Sequence, residues 1–296
     1  MRNSTASTVA LSVLLTACSP PPTTAQTQTH ALKLQLPEKP NAVRFAVIGD
    51  TGTGGKEQYE VGALMAEAHQ TFPFEFVLML GDNIYGGKTP EDFKRKFEDP
   101  YKALLDGGVK FYASLGNHDD PNERYYKPFN MNGQRYYTVK KGDVEFFALD
   151  STYFDPQQME WLQKELSASG AKWKICFFHH PLYSDAHYHG PDTDLRNRME
   201  PILQKYSVNV VLSGHEHVYE RIKPQGGIYY FVLGNGGQLR RHDLRRAANS
   251  AKGFDTDRTF MLMEAANDGL YFKTISRTGE TVDSGVIESQ KQKRAP

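Results

Sequence analysis

Val43-Arg44-Phe45-Ala46-Val47-Ile48-Gly49-Asp50-Thr51-Gly52 joins an apolar run to a turn that carries a carboxylate. The part from Val43 to Ile48 has the length and the branched and aromatic content of a strand buried on both faces, and Gly49 ends it. The same arrangement recurs down the chain. Phe76 to Leu80 runs into Gly81-Asp82-Asn83-Ile84-Tyr85, and Lys110 to Leu115 into Gly116-Asn117-His118-Asp119. Lys174 to Phe178 ends at His179-His180-Pro181, and Val208 to Leu212 at Gly214-His215-Glu216-His217. Between them lie helical patterns. Asp155-Pro156-Gln157-Gln158 offers a capping Asp, a Pro at the first helical position and a Gln three after the cap, followed by Met159, Leu162 and Leu166 on one face. Leu195, Met199, Ile202, Leu203 and Tyr206 form a second amphipathic stripe. Strands alternating with helices give an α/β class. Ile228 to Leu233, Phe260 to Ala265 and Leu270 to Ile275 read as strands of a second sheet, with the turn Gly234-Asn235-Gly236-Gly237 between the first two.

The placement matters because open α/β sheets collect ligands beyond the carboxyl ends of their strands, where all five polar segments fall. Taken singly, a Gly-Asp after a strand is a common turn and two His two residues apart are a common pairing. Together they gather Asp, Asn, Tyr and His, hard-to-borderline donors suited to Fe, Zn or Mn. A thiolate ligand set is excluded, since the chain has 2 cysteines. Cys176 sits in the apolar run Ile175 to Phe178 and reads as a small buried hydrophobe.

The 296 residues, 39% of them hydrophobic, suffice for one large core and one catalytic domain. A formal net charge of zero gives no support for nucleic-acid or anionic-membrane binding through bulk charge. The local exception is Arg240, Arg241, Arg245 and Arg246, which read as a solvated basic loop. At the N-terminus, Arg2 precedes an apolar stretch from Val9 to Leu15 that is too short to span a bilayer. Leu15-Thr16-Ala17-Cys18 resembles a bacterial lipoprotein signal, in which the cysteine takes lipid and becomes the new N-terminus. An ordinary secretory signal is the second reading. The expected organisation is a signal peptide over 1–17, a Pro- and Thr-rich disordered tether over 18–41, a catalytic domain over 42–288 and a tail over 289–296. The product would be a periplasmic or cell-surface lipoprotein, anchored through Cys18 and monomeric.

With these motifs in order, the stretch from Val43 to Ile287 resembles the calcineurin-like metallophosphoesterases, and within them the small single-domain purple acid phosphatases. The feature that marks the latter is a tyrosine three residues after the second aspartate, the place Tyr85 occupies. His189-Gly190-Pro191 is similar to the segment that carries a further active-site histidine there, and Trp161-Leu162 adds weaker support. The resemblance implies a two-sheet β sandwich flanked by helices. It also implies that Asp50, Tyr85 and His217 hold one metal, that Asn117, His179 and His215 hold a second, and that Asp82 bridges them. His179 rather than His180 would be the ligand, His180 being supporting or structural. The cofactor would be Fe(III) with a divalent Fe, Zn or Mn.

Two carboxylates, a phenolate and a bridging hydroxide against five positive charges leave such a centre net positive, which suits a phosphate anion. The implied reaction is hydrolysis of phosphate monoesters, small or on protein, by a metal-bound hydroxide, the two ions lying about 3.5–4 Å apart. His118 and His189 would protonate the leaving oxygen, with Asp119 orienting His118. Iron(III) acidifies bound water, so an acidic-to-neutral optimum is expected. The alternatives are a phosphodiesterase or nucleotide hydrolase on the same scaffold, or a surface binding protein without catalysis.

Overall fold

The computed structural model describes Met1, Leu32, residues 34–245 and residues 249–288. The signal peptide, Cys18, Arg246 and the tail lie outside the described residues. No helix among the described residues is long and apolar enough to cross a membrane.

Among the described residues, thirteen strands build two sheets. One contains β1 (Val43–Ile48), β2 (Phe76–Leu80), β3 (Lys110–Ser114), β11 (Thr259–Ala265), β12 (Gly269–Ser276) and β13 (Thr281–Glu288), in the order β13-β12-β11-β1-β2-β3. The other contains β4 (Tyr137–Lys141), β5 (Val144–Ala148), β6 (Trp173–Phe177), β7 (Val210–Ser213), β8 (Tyr219–Gln225), β9 (Ile228–Leu233) and β10 (Ser250–Phe254), in the order β10-β8-β9-β7-β6-β5-β4. β1, β2 and β3 are parallel, as are β5, β6, β7 and β9, while the outer strands run antiparallel. Each parallel block aims its carboxyl ends at one edge, and the two edges meet.

Period-two alternation sorts the side chains into layers. Phe146, Ile175 and Phe177 face the other sheet, where Phe146 meets Phe45 and Phe76 edge-on at 5.0 and 5.3 Å between ring centres. Their neighbours Phe147, Cys176 and Phe178 point the opposite way. There they pack under the helices Pro156–Ala168 and Thr193–Lys205, which bury Leu162, Leu166, Leu195, Met199 and Leu203. On the far side of the first sheet the helix Lys56–Thr71 contributes Val61, Met65 and Ala68. The result is the expected sandwich with helical outer layers.

Three details differ from the sequence reading. Ile228 to Leu233 does not share a sheet with Phe260 to Ala265: β9 pairs in parallel with β7, and β11 pairs antiparallel with β1. Apolar patterning identifies a buried strand but not its partner, which is fixed by long-range packing. At the Pro156 helix, Asp155 does cap Gln158 N at 2.8 Å, but the Gln158 side chain reaches back to both backbone groups of Asp150 instead of closing a capping box. The expected tether also ends early, since Leu34 is buried in the core and Glu38 N donates to Glu264 at 2.9 Å.

Candidate metal centre

Five loops at the shared edge carry the polar segments, and the backbone ties them together. Asp50 N donates to Gly81 O at 3.0 Å, Gly214 N to His179 O at 2.9 Å, and Gly236 N to Gly49 O at 3.1 Å, the last linking the two sheets. Asp50, Asp82 and His215 all adopt left-handed backbone, with φ of 56, 51 and 69°. That conformation turns the chain sharply as it leaves the strand, and its strain is characteristic of sites the surrounding structure holds in place. Two glycines make room for the carboxylates. A Cβ on Gly116 would lie 2.2 Å from Asp82 Oδ1, and one on Gly214 2.4 Å from Asp50 Oδ2.

The seven implied ligands converge in two groups. In the first, the Tyr85 hydroxyl lies 3.2 Å from Asp50 Oδ1 and 3.2 Å from His217 Nε2. In the second, His179 Nε2 lies 2.9 Å from Asn117 Oδ1 and 3.1 Å from His215 Nδ1. Asp82 stands between them, its Oδ1 3.4 Å from His179 Nε2 and its charge acting on the Tyr85 phenol. Backbone amides hold both carboxylates: His215 N donates to Asp50 Oδ2 and His118 N to Asp82 Oδ1, each at 2.9 Å.

The donor set fits a cation, and one contact shows why. His179 Nδ1 gives its proton to the Leu80 carbonyl at 2.9 Å, so Nε2 carries a lone pair. That lone pair faces an amide oxygen, a carboxylate oxygen and a second imidazole nitrogen. Oxygen and nitrogen lone pairs gathered around one point suit a cation. The ionisation energetics agree. Burial, with the charge of Asp82 beside it, pushes the Asp50 carboxyl well above the usual range. Burial and the same two carboxylates push the Tyr85 phenol up. A metal ion reverses both effects by stabilising the anions. Burial lowers all three ligand imidazoles, that of His217 to about 4, which keeps them in the neutral form a metal requires.

Around this centre one side chain departs from the sequence reading. Asp119 does not orient His118. Its carboxylate accepts from Asn83 N at 2.7 Å, Asn83 Nδ2 at 2.8 Å and Gly116 N at 2.8 Å, so it fastens the second and third loops to each other. His118 is exposed, with its ring 5.0 Å from that of Tyr85. His189 is also exposed and stacks at 4.3 Å on His215. The His180 ring stands 4.5 Å from that of His215, its Nδ1 held by Ser151 Oγ at 2.9 Å, so that it borders the second group closely. Its nitrogens fall in a compact set with those of His179 and His215. Glu216 is buried beside the Gly190 backbone, and burial pushes it up to about 7.

The basic segment divides. Arg241 and Arg245 are exposed, as a solvated loop would have them, but Arg240 is half-buried against the centre. Its N donates to His217 O at 3.0 Å, because the Gly-rich turn after β9 brings it there. Ser151 and Arg240 were missed because nothing in their local sequence announces a site.

The profile of the family described as calcineurin-like phosphoesterase matches residues 43–219. Purple acid phosphatase 3 of Arabidopsis thaliana is 28% identical over 240 residues, a match spanning 69% of this chain and 65% of that protein. Among solved structures, GAP50, described as the anchor in the inner membrane complex of Plasmodium, superposes with a TM-score of 0.71 at 20% identity, over 84% of this chain and 89% of that one. Purple acid phosphatase PPD1 from yellow lupin (Lupinus luteus) seeds gives 0.66 at 18% identity, over 83% of this chain and 54% of that one. These two likenesses are of fold.

Proposed function

The chain belongs to the calcineurin-like phosphoesterase family, and from that premise we propose that it is an acid phosphatase of the purple type, which hydrolyses phosphate monoesters at a centre of one Fe(III) and one divalent Fe, Zn or Mn. The observation that carries the proposal is the pairing of two unlike donor groups across Asp82. Asp50, Tyr85 and His217 would hold the ferric ion, since two hard anionic oxygens suit it. Asn117, His179 and His215, all neutral, would hold the divalent ion, with Asp82 shared. When bound, such a pair polarises a phosphoryl oxygen and makes water acidic enough to attack phosphorus.

The remaining steps belong to side chains. His118 and His189 flank the centre from opposite groups, one beside Tyr85 and the other on His215. On this reading each would hydrogen-bond the phosphate and give a proton to the departing oxygen. Burial, with the Arg240 charge beside it, lowers the His189 pKa. Ser151 holds His180 so that one ring nitrogen remains for the substrate side. The fold also serves in an anchor protein, as GAP50 is described. What favours catalysis here is the complete donor set.

The test compares p-nitrophenyl phosphate with bis-p-nitrophenyl phosphate before and after chelation. Preferred turnover of the monoester, lost on chelation and restored by iron with zinc, supports the proposal. Preferred turnover of the diester would replace it with the phosphodiesterase reading. Export with lipid on Cys18 is a separate part of the proposal, resting on Leu15-Thr16-Ala17-Cys18. Cys18→Ala should move the protein out of the membrane fraction, and unchanged fractionation would refute the anchor.

A further inference from the structure

Lys88 and Lys96 follow Tyr85 in a stretch that contributes nothing to the ligand set, yet both turn their ammonium groups back on the loop that carries it. Lys96 Nζ donates to Tyr85 O at 2.6 Å and Gly87 O at 3.2 Å, and pairs with Asp92 Oδ1 at 2.7 Å. Lys88 Nζ donates to Ile84 O, to His118 O at 2.9 Å and to Glu123 Oε1 at 2.8 Å. An ammonium has three N–H donors, so each lysine meets as many acceptors as it has protons to give.

The acceptors fall on either side of one residue. Ile84 O belongs to the peptide before the Tyr85 Cα and Tyr85 O to the peptide after it. The first of these peptides is held at its other end too, where Tyr85 N donates to Gly52 O at 2.9 Å. Peptide units are planar, so holding the two planes fixes φ and ψ of Tyr85, and with them the direction in which its side chain leaves the backbone. Lys88 also grips the carbonyl of His118, whose ring stands 5.0 Å from that of Tyr85. One ammonium thus spans the loop of the phenol and the loop of the imidazole.

Both lysines are braced from behind. Lys96 is buried, and its carbonyl accepts from Gln58 Nε2 at 2.5 Å while Gln58 Oε1 accepts from Gly54 N in the first loop at 2.7 Å. Asp92 is steadied by Thr89 N at 3.1 Å, and buried Glu123 by Asp120 N at 3.0 Å. A lysine ordinarily keeps its charge in water on a flexible stem, and holding it against backbone carbonyls costs hydration and rotamer freedom. A neutral donor would satisfy one carbonyl, whereas each ammonium joins groups from separate segments.

We propose that Lys88 and Lys96 are positioning residues of the centre: together they set the direction of the Tyr85 phenol, and Lys88 also sets the spacing between Tyr85 and His118. The inference rests on the phosphatase reading, in which Tyr85 holds Fe(III) and His118 protonates the leaving oxygen. On this assignment neither lysine touches metal or substrate, and each acts through the backbone carbonyls it binds.

The experiment records the visible spectrum of the oxidised protein at matched iron content, beside the ratio of alkyl to aryl phosphate turnover, for wild type, Lys88→Met and Lys96→Met. Both variants should shift the phenolate-to-iron band, because groups that orient a ligand tune its metal. Lys88→Met alone should also lower the alkyl-to-aryl ratio, by about tenfold, through misplacement of His118. Glu123→Gln and Asp92→Asn, which release the lysines without shortening them, should give the corresponding changes in smaller measure, and they carry the test where melting temperatures show that a Met variant does not fold. A wild-type band in all the folded variants would overturn the proposal, as would an equal fall in the ratio for the Lys88 and Lys96 variants. A colourless wild-type protein that turns over neither ester would instead refute the phosphatase reading and the proposal with it, so wild type alone distinguishes the two failures.

Discussion

The two donor groups on either side of Asp82 are built from the same strand ends yet differ in electrostatic character. The Asp50, Tyr85 and His217 group is anionic, and its members hydrogen-bond one another through the Tyr85 hydroxyl. The Asn117, His179 and His215 group is neutral, and its side-chain atoms face one another at 2.9 and 3.1 Å. On the proposed reading, the anionic half would suit a trivalent ion and the neutral half a divalent ion that meets substrate.

The largest effect should come from the neutral half. His215→Ala or His179→Ala should release the divalent ion while retaining iron, and lower turnover by about a thousandfold or more. Metal analysis of the variants beside their rates checks this, and loss of both ions together would erase the distinction between the halves. Next come the flanking histidines, one on each half. His118→Ala should slow an alkyl phosphate about a hundredfold and an aryl phosphate much less, since only the poorer leaving group needs the proton. His189→Ala should show the same selectivity most clearly toward acidic pH, because burial and the Arg240 charge lower its pKa. Rate ratios for the two substrates across pH separate these patterns.

A smaller effect is expected from the anionic half. Tyr85→Phe should remove the colour that a phenolate gives to Fe(III) and lower turnover about tenfold, since Asp50, His217 and Asp82 remain to hold the ion. Visible spectra and iron content of the variant check it. The mildest perturbation is acid. The folded-state pKa of His217 is about 4, below the ordinary imidazole value of 6.5. The native protein therefore keeps this ring neutral while the unfolded chain takes up a proton below 6.5. The metal-free protein should lose stability progressively from pH 6.5 down to about 4 and then level, as far as this group is concerned. Bound metal, by keeping the ring neutral below pH 4, should extend that loss to lower pH, where the metal-free protein levels. Melting temperatures of the two forms measure the difference.

The donor residues of both halves stand out in the sequence because each segment ends a largely apolar strand, while their division into two groups follows from the resemblance to the family. The sorting of Phe146 and Phe147, or Ile175 and Cys176, to opposite faces also follows from alternation alone. What could not be read depends on pairing between distant segments. β9 joins the sheet of β7, and that choice carries the turn after it, and so Arg240, against His217. Asp119 was legible as polar but not as the clamp between Asn83 and Gly116, because its partners lie in loops whose separation only the folded sheet sets. Ser151 fixes His180 across two strands for the same reason.

The central claim, that the anionic half holds Fe(III) through Tyr85 and the neutral half a different ion, is tested most directly by metal analysis with a visible spectrum of the purified, oxidised protein. One iron and one divalent ion per chain, with a pink-to-purple band that Tyr85→Phe abolishes, is the predicted result. A colourless, fully active protein that contains no iron would contradict it.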